Sequence, residues 1–116
     1  MQDTHKETLK QANAAISQLD FEGFLALCTE DTEWTFVGDQ TLRGKEAVRR
    51  WMPTAYPEPP VFKVHHMVAE NDWLIAIGEI TLKNDAGQPM RHSYSDVWRF
   101  KDGKLDKLQA FVIPTE

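Results

Sequence analysis

The sequence predicts an α+β fold in which helices pack on one face of a curved, mixed or antiparallel sheet. Three observations predict it. Apolar residues recur at steps of three and four through the first half of the chain. Residues in the second half alternate in the manner of strands, and short turn-forming connections divide them. Helices and strands are thus segregated along the chain, which favours a helix layer on a sheet over alternating βαβ units.

Thr4 and Glu7 have capping-box spacing, so the first helix is expected to start there. Leu9, Ala12, Ile16 and Leu19 then form one apolar stripe. Asp20 can cap a short second helix carrying Phe21, Phe24, Leu25 and Cys28. Glu33 to Val37 alternates and is rich in aromatic and β-branched residues, which reads as a strand. Gly44 opens a third helix with Ala47, Val48, Trp51 and Met52 on its apolar face. Pro53 is expected to end it, because proline lacks the amide hydrogen. The Pro57-Glu58-Pro59-Pro60 segment separates this half from four strands, near Val61–Glu70, Trp73–Lys83, Met90–Phe100 and Lys104–Ile113. Asn71-Asp72, Asn84-Asp85-Ala86-Gly87 and Lys101-Asp102-Gly103 punctuate them, and connections this short imply antiparallel neighbours.

Composition bounds the function. At 116 residues the chain is one domain, 1–116, large enough to enclose a small pocket. With 41% hydrophobic and 27% charged residues it is globular, neither disordered nor fibrous. A net charge of −5 argues against a nucleic-acid groove, which depends on cationic contacts to phosphate. The single cysteine, Cys28, cannot form an internal disulfide. No apolar run reaches membrane-spanning length, and no signal-like segment follows Met1. A soluble cytoplasmic protein is expected, without a nucleic-acid or membrane partner.

One strand carries chemistry. Alternation puts His92, Tyr94, Asp96, Trp98 and Phe100 on one face of the third late strand, and Arg91, Ser93, Ser95, Val97 and Arg99 on the other. The aromatic set should face the helices, so Asp96 should sit on the covered face between two rings. A carboxyl there either finds a donor or has its pKa raised by loss of water. Protonated, it can donate to an oxyanion; ionised, it can act as a base. The plainer alternative is that Asp96 organises the core through hydrogen bonds alone. Other signals fail. Gly38 to Glu46 has one residue too many for a phosphate loop and Glu46 where a hydroxyl should stand. No His-x-x-x-His pair or second cysteine offers metal ligands, Ser93 and Ser95 lack a nucleophile elbow's glycines, and Arg49-Arg50 reads as a solvated helix face. No metal or organic cofactor is implied.

The element order, together with Thr29-Glu30-Asp31-Thr32-Glu33-Trp34, Leu42-Arg43-Gly44-Lys45-Glu46-Ala47-Val48, Gly87-Gln88-Pro89, Asp96-Val97-Trp98-Arg99-Phe100 and Gln109-Ala110-Phe111, resembles the NTF2-like superfamily in its SnoaL-like and ketosteroid-isomerase-like branch. The resemblance covers essentially the whole chain. It implies a cone with a deep apolar pocket between helices and sheet, a small hydrophobic ligand, and a homodimer packed through the outer sheet face. Apolar residues on both faces of two late strands agree: Leu74, Ala76, Ile80 and Leu82 oppose Trp73, Ile75 and Ile77, and Leu105, Phe111 and Ile113 oppose Leu108, Ala110 and Val112.

In the isomerases of this superfamily a protonated Asp on the penultimate strand donates to the oxyanion, and Asp96 is similar in position. Their second catalytic Asp falls at about Thr35 or Phe36 here, and their Tyr near Ala12, so that full set is missing and steroid isomerisation by it is rejected. SnoaL-like cyclases pair an Asp with a His. The resemblance therefore implies Asp96 as acid or base, with His92 or His66 and Tyr94 in support. His66, on a face with Phe62, Val64 and Val68, is the better inward choice of the His65-His66 pair. Implied pocket walls are Trp34, Phe36, Ile77 and Trp98, with Leu108, Val112 and Ile16, and Tyr56 as a lid residue. Two functions remain open: a cofactor-independent isomerase, cyclase or lyase, and a non-catalytic binding or dimerisation module.

Overall fold

The computed structural model describes residues 2–115. Helices α1 (Gln2–Ser17) and α2 (Phe21–Leu25) precede strands β1 (Cys28–Phe36) and β2 (Gln40–Arg43). Helix α3 (Lys45–Ala55) follows, then β3 (Val61–Glu70), β4 (Trp73–Lys83), β5 (Pro89–Lys101) and β6 (Lys104–Pro114). The six strands make one open mixed sheet in the order β2-β1-β6-β5-β4-β3. Only β1 and β6 run parallel; the other neighbours are antiparallel. The three helices lie against one face of this sheet, so the α+β arrangement read from the sequence is the one observed.

Local chemistry explains most element ends. The Asp20 carboxylate accepts the Gly23 amide at 2.9 Å and caps α2. Asp102 and Gly103 both have positive φ, 53° and 79°, the pair of conformations a tight β5–β6 hairpin needs. Asn84 Oδ1 accepts the amides of Ala86 and Gln88 and shapes the β4–β5 loop.

Several expectations are corrected. Chain residues are already helical from Gln2, so Thr4 lies inside α1 and its carbonyl accepts from the Thr8 hydroxyl. Leu19 lies beyond the helix, with φ of 58°. Cys28 opens β1 and does not belong to α2. Strand β2 pairs with β1 over Glu33–Phe36, in a segment that carries no strong alternation of its own. Pro53 lies within α3: it forfeits one hydrogen bond, but the next turn still closes through Tyr56 N–H to the Met52 carbonyl at 2.8 Å. The ladder between β5 and β6 shifts between Arg99 and Phe100, and Leu105 consequently joins Leu108 on the inner face.

The core lies between helices and sheet. Trp34 sits at its centre, edge-on to Phe24, Trp51 and Trp98 at centroid distances of 5.5, 6.0 and 5.6 Å. Its indole N–H donates to Thr32 Oγ1, and that hydroxyl donates to the Asp106 carbonyl, so this buried polar pair is satisfied. Leu9, Ala12 and Ile16 of α1 and Val48 and Met52 of α3 are buried, as their spacing requires. The opposite sheet face is unusually apolar, with Val68, Trp73, Ile77, Phe111 and Ile113 exposed on it. No helix among the described residues is long and apolar enough to cross a membrane.

Candidate functional site

Alternation along β5 brings Tyr94, Asp96 and Trp98 to the inner face, opposite Gly78, Ala76 and Leu74 of β4. On the other side of β5, Val112, Ala110 and Leu108 of β6 stand in register with the same three residues. Ala76 and Ala110 therefore flank Asp96, and their small side chains leave space above the carboxyl. Large residues close that space. Ile16 of α1 and Phe24 of α2 cover it, Met52 and Tyr56 approach from α3, and Trp34 and Phe36 wall the β1 side. A cavity of about 120 Å³ results, with Asp96 among its lining residues.

The cavity is predominantly apolar. Its hydrogen-bonding side chains, apart from the indoles, are Asn13, Tyr56, Tyr94 and Asp96. Loss of water around Asp96 pushes its pKa from 3.8 up to about 7. None of the hydrogen bonds and ion pairs found among the described residues involves this carboxyl, so nothing offsets that loss. Burial raises the Tyr56 and Tyr94 phenols to about 12, and the Asp96 charge adds to both shifts. Both phenols therefore stay protonated near neutral pH and can donate. The Tyr94 hydroxyl lies over Gly78, where an added Cβ would be 2.9 Å from it. A carboxyl that titrates near neutrality, beside two phenol donors, is suited to exchanging a proton with a carbonyl or enol.

Of the sequence-derived residues, Asp96, Tyr94, Trp34, Phe36, Trp98, Leu108, Val112, Ile16 and Tyr56 all line this cavity. Three do not. His92 shares the Asp96 face and pairs with Ile80, at the rim of the cavity, and with Pro114, but it is not among the lining residues, and its Nδ1 is 3.1 Å from the Met90 carbonyl. Four residues of extended chain separate it from Asp96, roughly 13 Å. Ile77 is exposed on the outer face, because Ala76 and Gly78 take the inner positions. His66 is exposed as well. A bulge between Val64 and His66 inverts the alternation of β3, so Met67 turns inward and His66 pairs with Ile77 on the outside. His65, at the bulge, is 3.0 Å from Glu79.

Asn13 was the missed polar residue. It lies one position past the buried Ala12 on α1, and a single amide on a helix flank carries no sequence signal of a site. The bulge did leave one: Gly78, an isolated glycine within a strand, marks close backbone approach. A Cβ there would collide with the Lys63 carbonyl oxygen. Among the described residues, no group of three His, Cys, Asp or Glu could hold a metal ion. Cys28 is buried, and burial raises its thiol to about 12, so it is no nucleophile.

Comparison with known proteins follows the fold. An NTF2-like protein of unknown function from Cytophaga hutchinsonii superposes with a TM-score of 0.79 at 22% identity, covering 97% of this chain and 99% of that one. An LEH-like epoxide hydrolase from M. tuberculosis gives 0.84 at 14% identity, covering 96% and 84%. A protein assigned as a SnoaL-like polyketide cyclase, from Jannaschia sp. CCS1, gives 0.81 at 14% identity, covering 96% and 86%. At these identities the likeness establishes the NTF2-like fold. In sequence, no curated protein gives a significant match. The SnoaL-like domain model matches residues 9–107, the span that holds every cavity residue except Leu108, Ala110 and Val112. By that match the chain belongs to the SnoaL-like domain family.

Proposed function

We propose that the cavity binds a small apolar molecule and that Asp96 moves a proton to or from it without a cofactor, as an isomerase, cyclase or lyase would. The observation that carries this reading is the Asp96 carboxyl itself, desolvated in an apolar cavity and titrating near 7. As a base, the carboxylate takes the proton from the carbon beside a carbonyl. The C–H electron pair moves into the carbonyl and forms an enolate, whose oxygen accepts a hydrogen bond from Tyr94 or Tyr56. Where the ketone carries a β,γ carbon–carbon double bond, the enolate extends to a dienolate, and return of the proton from Asp96 to the γ-carbon moves the double bond into conjugation and completes an isomerisation. The family membership and the cyclase-like and epoxide-hydrolase-like neighbours are compatible with small-molecule chemistry of this kind.

The test is deuterium incorporation into 2-tetralone, an apolar enolisable ketone, followed by proton NMR. The protein should accelerate exchange, and Asp96→Asn should remove about 10²–10⁴-fold of the rate, the usual contribution of a positioned acid or base. Equal rates for both proteins would end the proton-transfer reading. A second reading then stands, a ligand-binding module without catalysis. It is favoured by the absence of a histidine or second carboxylate among the cavity-lining residues. We further propose a homodimer, supported by the apolar patch of Trp73, Ile77, Phe111 and Ile113 on the outer sheet face, and a cytoplasmic location, with which the lone buried thiol of Cys28 is compatible.

A further inference from the structure

A second concavity lies beside the first. It runs between α1 and β3, has a volume of about 430 Å³, and is lined by Lys6, Lys10, Val64, His65, His66 and Met67, together with Asn13 and Phe62. Asn13 and Phe62 line the inner cavity too. These two side chains are thus the partition between a small apolar chamber and an open groove. The chamber, at about 120 Å³, is near the size that accommodates one aromatic ring, whereas a longer molecule must extend past the partition.

The groove differs from the chamber in charge. Lys6 and Lys10 stand one helical turn apart on the same side of α1. Two cations at one groove are notable in a chain of net charge −5. Carboxylates temper them: Glu7 is 3.7 Å from Lys10, and Glu79 is paired with His65. The remaining field suits a single negative charge better than a doubly charged group.

We propose that the groove is the anion-recognition part of the ligand site, and that the ligand is an apolar ring or short chain bearing a carboxylate at its far end. The ring and its reactive carbonyl enter the chamber beside Asp96. The spacer passes between Asn13 and Phe62, and the carboxylate rests near Lys6 and Lys10. This inference rests on the proposed use of the chamber and adds the class of molecule it takes. It also gives Asn13 a part, as an amide that can hydrogen-bond polar atoms of the spacer where the two spaces meet.

The test uses 4-phenylbutyrate and its neutral counterpart 4-phenylbutyramide, which share ring and spacer and differ in charge. Binding is measured at pH 6 by calorimetry and by amide shifts in proton–nitrogen NMR. Both compounds should shift Trp34 and Asp96, and the carboxylate should bind about three- to tenfold more tightly, the range expected for two solvent-screened charges. The double variant Lys6→Gln/Lys10→Gln should abolish that preference and leave the amide's affinity unchanged. Added salt should act in the same direction as the double variant. Equal affinities in the unaltered protein, or a preference that survives the double variant, overturns the proposal while leaving the chamber's role intact. If neither compound shifts Trp34 or Asp96, both readings fall together.

Discussion

Asp96→Asn tests the physical premise of the site separately from any reaction. Folding moves this carboxyl from water into an apolar cavity and raises its pKa from 3.8 to about 7. Below pH 3.8 the acid is protonated in both folded and unfolded chains, so it contributes no pH dependence. Between about 4 and 7 the folded chain holds a proton that the unfolded chain has released, so stability falls as pH rises. Above 7 both forms are ionised and the full penalty applies. At 1.36 kcal/mol per pH unit it is on the order of 4 kcal/mol. Asparagine mimics the protonated acid in shape and carries no charge. The variant should therefore match the unaltered protein near pH 4 and exceed its stability by a few kcal/mol at pH 8. Urea unfolding at a series of pH values reads this difference directly. A difference that stays flat from pH 4 to 8, or a variant that is less stable at pH 8, refutes the argument that the carboxyl is desolvated and unpaired.

Two further outcomes follow from the packing. Gly78→Ala should destabilise the fold by about 1–3 kcal/mol, since its methyl would meet the Lys63 carbonyl and crowd the Tyr94 hydroxyl; an unchanged urea midpoint would show that the strands part easily there. Ile77→Lys puts a charge in the middle of the exposed apolar sheet face. It should convert a dimer to a monomer in sedimentation equilibrium with little loss of fold stability, and a variant that remains dimeric argues against that face as the interface.

The contrast between β5 and β3 explains how much of the site was readable from residue order. In β5 the ladder to β4 is continuous, so the two-residue period carried Tyr94, Asp96 and Trp98 to the inner face without interruption. In β3 the same rule failed after Val64. The bulge adds one residue against β4, and every side chain beyond it changes face. His66, expected inward from its alternation with Phe62 and Val64, therefore lies on the outer face, and neither it nor His65 lines the cavity. The shift opposite Asp106 misled the reading of Leu105 in the same way, and Ile77 was misjudged as a wall despite its correct assignment to the face opposite Ala76.

Residue order alone settled the helix layer, the late strands and the inward direction of Asp96, because helical and strand periods are local and repeat within a few residues. The tertiary structure decided which groups surround that carboxyl. Asn13, Tyr56 and Tyr94 come from α1, the end of α3 and β5, and they line one cavity only because the helices pack across the inner face of the sheet. Strand β2 likewise exists through its pairing with β1, and the β3 bulge occurs beside Gly78, the residue of β4 that leaves room for the Lys63 carbonyl. These features depend on contacts between segments far apart in the chain, and no local period encodes them.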